Sequence, residues 1–232
     1  MSVIFRAFRD FFSLLFPNLC SGCSRHLNNG ESAICISCLY RLPYTDHHLH
    51  AANKTARLFW GKIPFNAAMA LLYFKKEGRV QKIIHSLKYK GRKETGIKLG
   101  VLMAEQLRKT TFYEDIDLVV PVPLHSSKER QRGYNQSACL AEGIAVELGI
   151  TLSSGALSRT IATESQTRKG RYSRHENMHD AFSVRAGSEL TGMHVLLVDD
   201  VITTGATIVA CAVALHECGI KKLSIIAAAS AE

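Results

Sequence analysis

The sequence predicts an α/β protein, a mostly parallel sheet flanked by helices, preceded by a small cysteine-rich module. Three observations carry that prediction. From residue 65 onward, short continuous apolar runs of the kind that form strands buried on both faces alternate with segments of helical period. Between residues 20 and 38, four cysteines stand in two Cys-x-x-Cys pairs, in a stretch too poor in apolar residues to fold unaided. The chain of 232 residues is 47% hydrophobic, enough core for one good-sized domain with an appendage, which excludes wholesale disorder. No apolar run reaches the ~18–20 residues of a membrane span, so an integral membrane protein is excluded.

The elements follow in order. Residues 4–16 read as an amphipathic helix ended by Pro17. Arg6, Arg9 and Asp10 interrupt their apolar run and no small-residue cleavage site follows, which argues against a secretion signal. A connector after the cysteines holds Pro43 and three histidines, His47, His48 and His50. Their spacing does not gather them on one face of regular structure, so they are expected to be solvated. The boundary falls near residue 60, giving a module over 1–60 and a sheet domain over 61–232. Residues 67–74 read as a strand. Val80, Ile83, Ile84 and Leu87 recur at helical spacing, with Gly91 as punctuation, and residues 95–109 form a second helix.

Residues 116–122 are a continuous apolar run and hence a buried strand. Asn135 caps a helix to Leu148, with Gly149 just past its end. Residues 158–180, polar and basic, form a long loop of the kind that is functional or mobile in a compact domain. A strand at 193–198, a helix at 206–218 stopped by Gly219, and a strand at 223–229 complete the pattern. Cys139, Cys211 and Cys218 fall in helical segments and read as small buried hydrophobes.

Charge is unevenly placed. Residues 1–60 carry +3, residues 61–98 carry +8 and residues 99–232 carry −2, from a total of +9. The basic excess centres on Lys88, Lys90, Arg92 and Lys93. Such a stripe attracts nucleic acid or a phosphate-dense small molecule, or is a solvated helix face opposite a core.

Cys20-x2-Cys23 and Cys35-x2-Cys38 are separated by eleven residues. Each pair lets a tight knuckle turn two sulfurs toward one ion, and Gly22 suits the sharp turn. Two knuckles complete a tetrahedral zinc site with no open position, so the metal is expected to be structural and to supply folding energy. An odd total of seven cysteines, four of them so spaced, suits a reducing cytoplasm better than a disulfide framework.

The most informative stretch is residues 194–207, where a buried strand ends at Asp199 and Asp200. A turn with Thr203, Thr204 and Gly205 then opens a helix at Ala206 and Thr207. Ligands of open α/β sheets bind beyond the carboxyl ends of strands. Successive N–H groups at a glycine turn and helix N-terminus surround a phosphate, and the threonines add hydroxyls. The carboxylates need a donor-rich partner, and a ribose diol fits, so the pattern describes a ribose 5-phosphate. Simple helix capping explains one acid and no glycine. Neither a Gly-x4-Gly-Lys-Ser/Thr nor a Gly-x-Gly-x-x-Gly motif is present.

This stretch resembles the phosphoribosyl pyrophosphate (PRPP) signature of type I phosphoribosyltransferases. The resemblance implies that Asp199 and Asp200 hold the ribose hydroxyls, and that Thr203, Thr204, Gly205, Ala206 and Thr207 bind the 5-phosphate. A second strand end, residues 119–125, leads through Lys128, Arg130 and Arg132 to Gly133, Tyr134, Asn135 and Gln136. It makes a second anion site on the same sheet edge, the pyrophosphate side of a pocket, or else an ordinary surface loop.

The combination resembles the ComF/GntX-type family. Its pattern is matched by the knuckles after Leu15-Phe16-Pro17, by residues 87–91, by Pro-Val-Pro and Arg-Gly-Tyr-Asn-Gln, and by Arg159-Thr160, Gln166, Arg171 or Arg174, and Asn177. Tyr134 replaces the commoner phenylalanine. The resemblance implies a role in competence, the uptake and processing of DNA. The expected activity is transfer of phosphoribosyl from PRPP to an unread acceptor, with Mg²⁺ held mainly by pyrophosphate and diol oxygens. The 158–180 loop, with Arg159, Gln166, Arg168, Lys169, Arg171 and Arg174, is expected to close over the pocket. The alternative is a single-stranded DNA-binding competence factor for which PRPP is a regulatory ligand. It would use the 61–98 stripe, with Tyr73, Phe74 and Tyr89 as stacking residues.

Overall fold

The computed structural model describes residues 17–159 and 181–231. The expected helix over 4–16 and most of the expected loop, including Gln166, Arg171 and Arg174, lie outside the described residues. Next to the cysteines are α1 (Ile36–Tyr40) and α2 (Lys54–Arg57), the latter capped by the Asn53 side chain. Then come β1 (Ala67–Phe74), α3 (Arg79–Tyr89), α4 (Lys93–Leu107), β2 (Leu118–Pro121), α5 (Ser126–Arg132) and α6 (Gln136–Leu148). The rest is β3 (Thr151–Leu152), β4 (Leu157–Arg159), β5 (Phe182–Val184), β6 (His194–Ile202), α7 (Ala206–Glu217) and β7 (Lys222–Ala231).

Five strands pair in the order β1-β7-β6-β2-β3, all parallel, while β4 and β5 form a separate antiparallel pair. The central strands are largely apolar because helices cover both faces: His194 to Val198 of β6 and Leu223 to Ser230 of β7 are buried. One apolar core lies between the sheet and α3, α4 and α6, the other between the sheet and α7. Helices α4 and α6 cross backbone to backbone at Gly100 and Gly143. A Cβ on either would lie 2.1 or 2.2 Å from a carbonyl oxygen of the other helix. That contact fixes α6 against β6, where the acid pair sits.

Several expectations change. Residues 126–132, read as loop, form α5, because His125 caps it and Gly133 in the left-handed region closes it. The start of the expected 158–180 loop is strand β4. The histidine connector is only partly solvated: His50 is exposed, but His47 and His48 are buried, and His47 Nδ1 lies 3.1 Å from Thr55 Oγ1 and meets the Tyr73 ring edge-on. The connector runs along the free edge of β1, with Thr45 Oγ1 donating to the Ala70 carbonyl and Asn53 Nδ2 to that of Ala68. Burial also holds both imidazoles below their ordinary pKa and therefore neutral.

Candidate functional site

β6 carries its apolar run to Val198 and then turns polar at the carboxyl edge of the sheet. Asp199 is half-buried there. Its Oδ1 accepts from Ser137 Oγ at 3.1 Å, at the start of α6, and from the Asp200 amide at 2.8 Å. Burial, with the Asp200 charge alongside, pushes the Asp199 carboxyl up to about 7 against the pull of those donors and of Lys88. Asp200 Oδ2 pairs with Lys88 Nζ at 2.8 Å, so the last turn of α3 supplies a cation to the acid pair.

The turn beyond β6 leaves donors unused. Gly205 adopts φ +78° as N-cap of α7, and the helix closes when Val209 N–H donates to its carbonyl at 3.0 Å. The Ala206 amide reaches Thr204 Oγ1 at only 3.4 Å, and the amides of Thr204, Gly205, Thr207 and Ile208 meet no acceptor among the described residues. Thr203 and Thr204 are exposed. Asp199, Val201, Ile202 and residues 203–208 line a hollow of about 220 Å³, its open mouth included. Convergent N–H groups at a helix N-terminus hold an anion, and the adjoining carboxylate accepts from hydroxyls. Phe59 was not legible as part of this site: its ring is fully buried, with Cε1 2.7 Å from where a Cβ on Gly205 would lie. Ser137 was missed too, since nothing in the helical period of α6 marks it.

α5 follows β2, the parallel neighbour of β6, and so begins on the same sheet edge. Lys128 and Arg130 are exposed on it, while Arg132 donates to Gln136 Oε1 at 2.6 Å and lies 5.5 Å from the Tyr89 ring. Asn135 ties this edge together: its Oδ1 accepts from the Ser137 amide and its Nδ2 donates to the Val122 carbonyl. The basic run is divided by its contacts. Lys88 faces Asp200, Arg92 donates to the Leu19 carbonyl, Lys93 lies 5.4 Å from the Tyr134 ring, and Lys90 is exposed. Tyr73 and Phe74 are half-buried in β1, whereas Tyr89 is 63% exposed with its ring tilted 4.7 Å from that of His85. Arg159, in β4, lies 5.3 Å from the Phe182 ring.

The cysteines converge. The sulfurs of Cys20, Cys23, Cys35 and Cys38 all lie within 4.8 Å of one another, and Cys23 and Cys35 are 3.8 Å apart. A tetrahedron of ~2.3 Å zinc–sulfur bonds has edges of about 3.8 Å, so the donor set fits that ion. Burial alone would raise the Cys20 thiol, but the N–H groups of Cys35, Cys23 and Gly22 outweigh it and bring it down to about 7. Cys38, buried among the other sulfurs, is pushed well up. Four such thiols ionise together only around a cation. Gly22 makes room, since a Cβ there would lie 3.0 Å from Cys38 Sγ. No helix among the described residues is long and apolar enough to cross a membrane.

The phosphoribosyl transferase domain model matches residues 135–232. "DNA utilization protein YhgH" of Escherichia coli K12 is 32% identical over 193 residues, 82% of this chain and 80% of that protein. The protein of the same name from Salmonella typhimurium is 34% identical over 129 residues, and the match spans 56% of its length and 54% of this chain. "Competence protein F" of Haemophilus influenzae is 25% identical over 89% of this chain and 88% of its own. Among solved structures, the glutamine PRPP amidotransferase of B. subtilis, complexed with ADP and GMP, aligns with TM-score 0.44 and 20% identity, over 62% of this chain and 30% of that one. With this identity across four-fifths of the E. coli protein, and with the parallel sheet and clustered cysteines in place, the chain belongs to the ComF/YhgH family.

Proposed function

We propose that the protein binds PRPP at the β6–α7 turn and transfers its phosphoribosyl group to an acceptor nucleophile. The C1–oxygen bond to pyrophosphate breaks, pyrophosphate leaves, and the acceptor bonds to C1. The observation that carries this reading is that Asp199 and a turn with unused amides line one hollow. The amides and Thr203, Thr204 and Thr207 hold the 5-phosphate. Asp199 and Asp200 accept from the ribose hydroxyls and favour the positive charge that grows on the ring. Mg²⁺, held mainly by pyrophosphate and diol oxygens, would screen the pyrophosphate charge. Lys128, Arg130 and Arg132 serve the pyrophosphate side, and the role of Arg159, Gln166, Arg171 and Arg174 is to exclude water from the reaction. Zn²⁺ on Cys20, Cys23, Cys35 and Cys38 is structural, because four thiolates leave no open position.

Calorimetry tests the assignment. PRPP affinity should rise as pH passes about 7, since hydroxyl donors need an ionised Asp199. Without ligand the sign reverses: the folded carboxyl ionises later than the unfolded one, at about 3.9. Stability should therefore fall as pH rises between those values. Asp199→Ala/Asp200→Ala should weaken PRPP about a hundredfold, from two lost charge-assisted bonds. Equal affinity in the two proteins overturns the proposal.

A second reading, single-stranded DNA binding with PRPP as regulator, draws on the names of the relatives and on one local observation. His85 and Tyr89 are exposed with their rings tilted against each other, the half-buried Arg132 guanidinium lies over the Tyr89 ring, and Lys90 next to Tyr89 is exposed. A base stacks on such a surface for about 1–3 kcal/mol. Tyr89→Ala should weaken a short oligonucleotide about tenfold, and Lys90→Gln should flatten the salt dependence. No binding by the unaltered protein removes this reading and leaves the first intact.

A further inference from the structure

We propose that the cysteine module is a brace for the acid pair, with Lys88 as the positioning residue that it sets. The proposal deepens the PRPP reading of that site and rests on it. Ser21, inside the first knuckle, places its Oγ 2.8 Å from Thr95 Oγ1 of α4 and accepts from Ser86 Oγ of α3 at 3.2 Å. All three hydroxyls are buried. Gly22 lies against Ile83 of α3, and Arg92 returns from the α3–α4 junction to the Leu19 carbonyl before the knuckle. The knuckle therefore clasps both helices at one point. Two residues beyond Ser86 on α3, Lys88 reaches Asp200 at 2.8 Å.

A second route leaves from the same turn. The Leu87 carbonyl accepts from Tyr134 Oη, and Tyr134 leads into α6, whose Ser137 holds Asp199. Each carboxylate is thus steadied by an element fixed at the last turn of α3. The ion pair has a clear use. A site for a polyanion has one acid, Asp199, lining its hollow and a second, Asp200, next to it, and the Lys88 ammonium offsets the second while fixing its direction. The groups that act on Asp199 are Asp200, Lys88 and Ser137, and its charge is felt in turn by the buried Cys211 thiol of α7.

A double-mutant cycle separates bracing from ordinary core satisfaction. In calorimetry with PRPP, Lys88→Met should weaken binding about tenfold and Ser86→Ala about threefold. The combined variant should bind close to Lys88→Met and well short of the product of the two, because the hydroxyl acts mainly through the ammonium. An additive loss of about thirtyfold, or no loss for Ser86→Ala, overturns the brace, and unchanged metal content shows that the module itself survives. ¹³C-carboxyl NMR reads the same coupling without ligand. The Asp199 midpoint should rise above about 7 in Lys88→Met and shift the same way, by less, in Ser86→Ala. An unmoved midpoint in Ser86→Ala overturns the brace. Should the unaltered protein fail to bind PRPP, the functional reading falls and the midpoints alone decide.

Discussion

Stripping the metal, or replacing Cys35 by serine, should destabilise the protein by at least about 4 kcal/mol and lower its thermal midpoint by about 10 °C or more. Within itself the module has little regular structure besides the sulfur cluster: a five-residue helix and a few isolated bridges. Its cysteines are nevertheless part of the main core. Cys20, Ile34, Cys35, Cys38 and Leu42 pack in one cluster with Ile83, Ile84 and Leu99. Losing the ion leaves clustered thiols that cannot all ionise, and releases a wall of that core. Cys218→Ser is the control, since Cys218 lies outside the cluster. Elemental analysis should return one zinc per chain for the unaltered protein and for Cys218→Ser, and none for Cys35→Ser. A Cys35→Ser protein that melts with the unaltered one would show that the ion carries no folding energy.

Gly205→Ala should cost about 3 kcal/mol and lower the midpoint by about 6–12 °C. Two separable effects add. The left-handed backbone at φ +78° strains any residue with a Cβ, by about 1–2 kcal/mol. The new methyl would also lie 2.7 Å from the Phe59 ring, which is fully buried and has nowhere to retreat. Phe59→Leu in the Gly205→Ala background should recover the second part and leave the first. Differential scanning calorimetry on the four proteins of that cycle checks the split, and strict additivity would show that Phe59 and Gly205 do not press on each other. PRPP binding should fall alongside stability in Gly205→Ala, because the turn must shift its amides to relieve the contact.

Much of the sheet was legible because its signals are local. The strand at residues 67–74 is found where its apolar run lies, and α6 runs from the Asn135 cap to left-handed Gly149, as its punctuation requires. Other signals misled. The polar, basic stretch 126–132 looks like a loop, yet capping at both ends makes it a helix whose side chains face solvent. The histidine connector looks hydrophilic, but backbone carbonyls along β1 and the Thr55 hydroxyl satisfy its polar groups, so it can be buried. Polarity of a segment predicts exposure only when no partner is waiting for it.

The candidate site divides the same way. Acid pair, threonine-glycine turn and paired cysteines were all readable from spacing, because each chemistry is built within fewer than twenty consecutive residues. The sequence could not assign Lys88 to Asp200, Ser137 to Asp199, or Phe59 to Gly205. These partners lie between 62 and 146 positions apart along the chain, and no periodicity links them. Residue order alone determined which groups could meet a ligand and what regular structure would present them. Tertiary packing decided which lysine of a basic run neutralises an acid and which aromatic ring supports the glycine. Such contacts depend on how helices cross and how strands order themselves, which no single segment encodes.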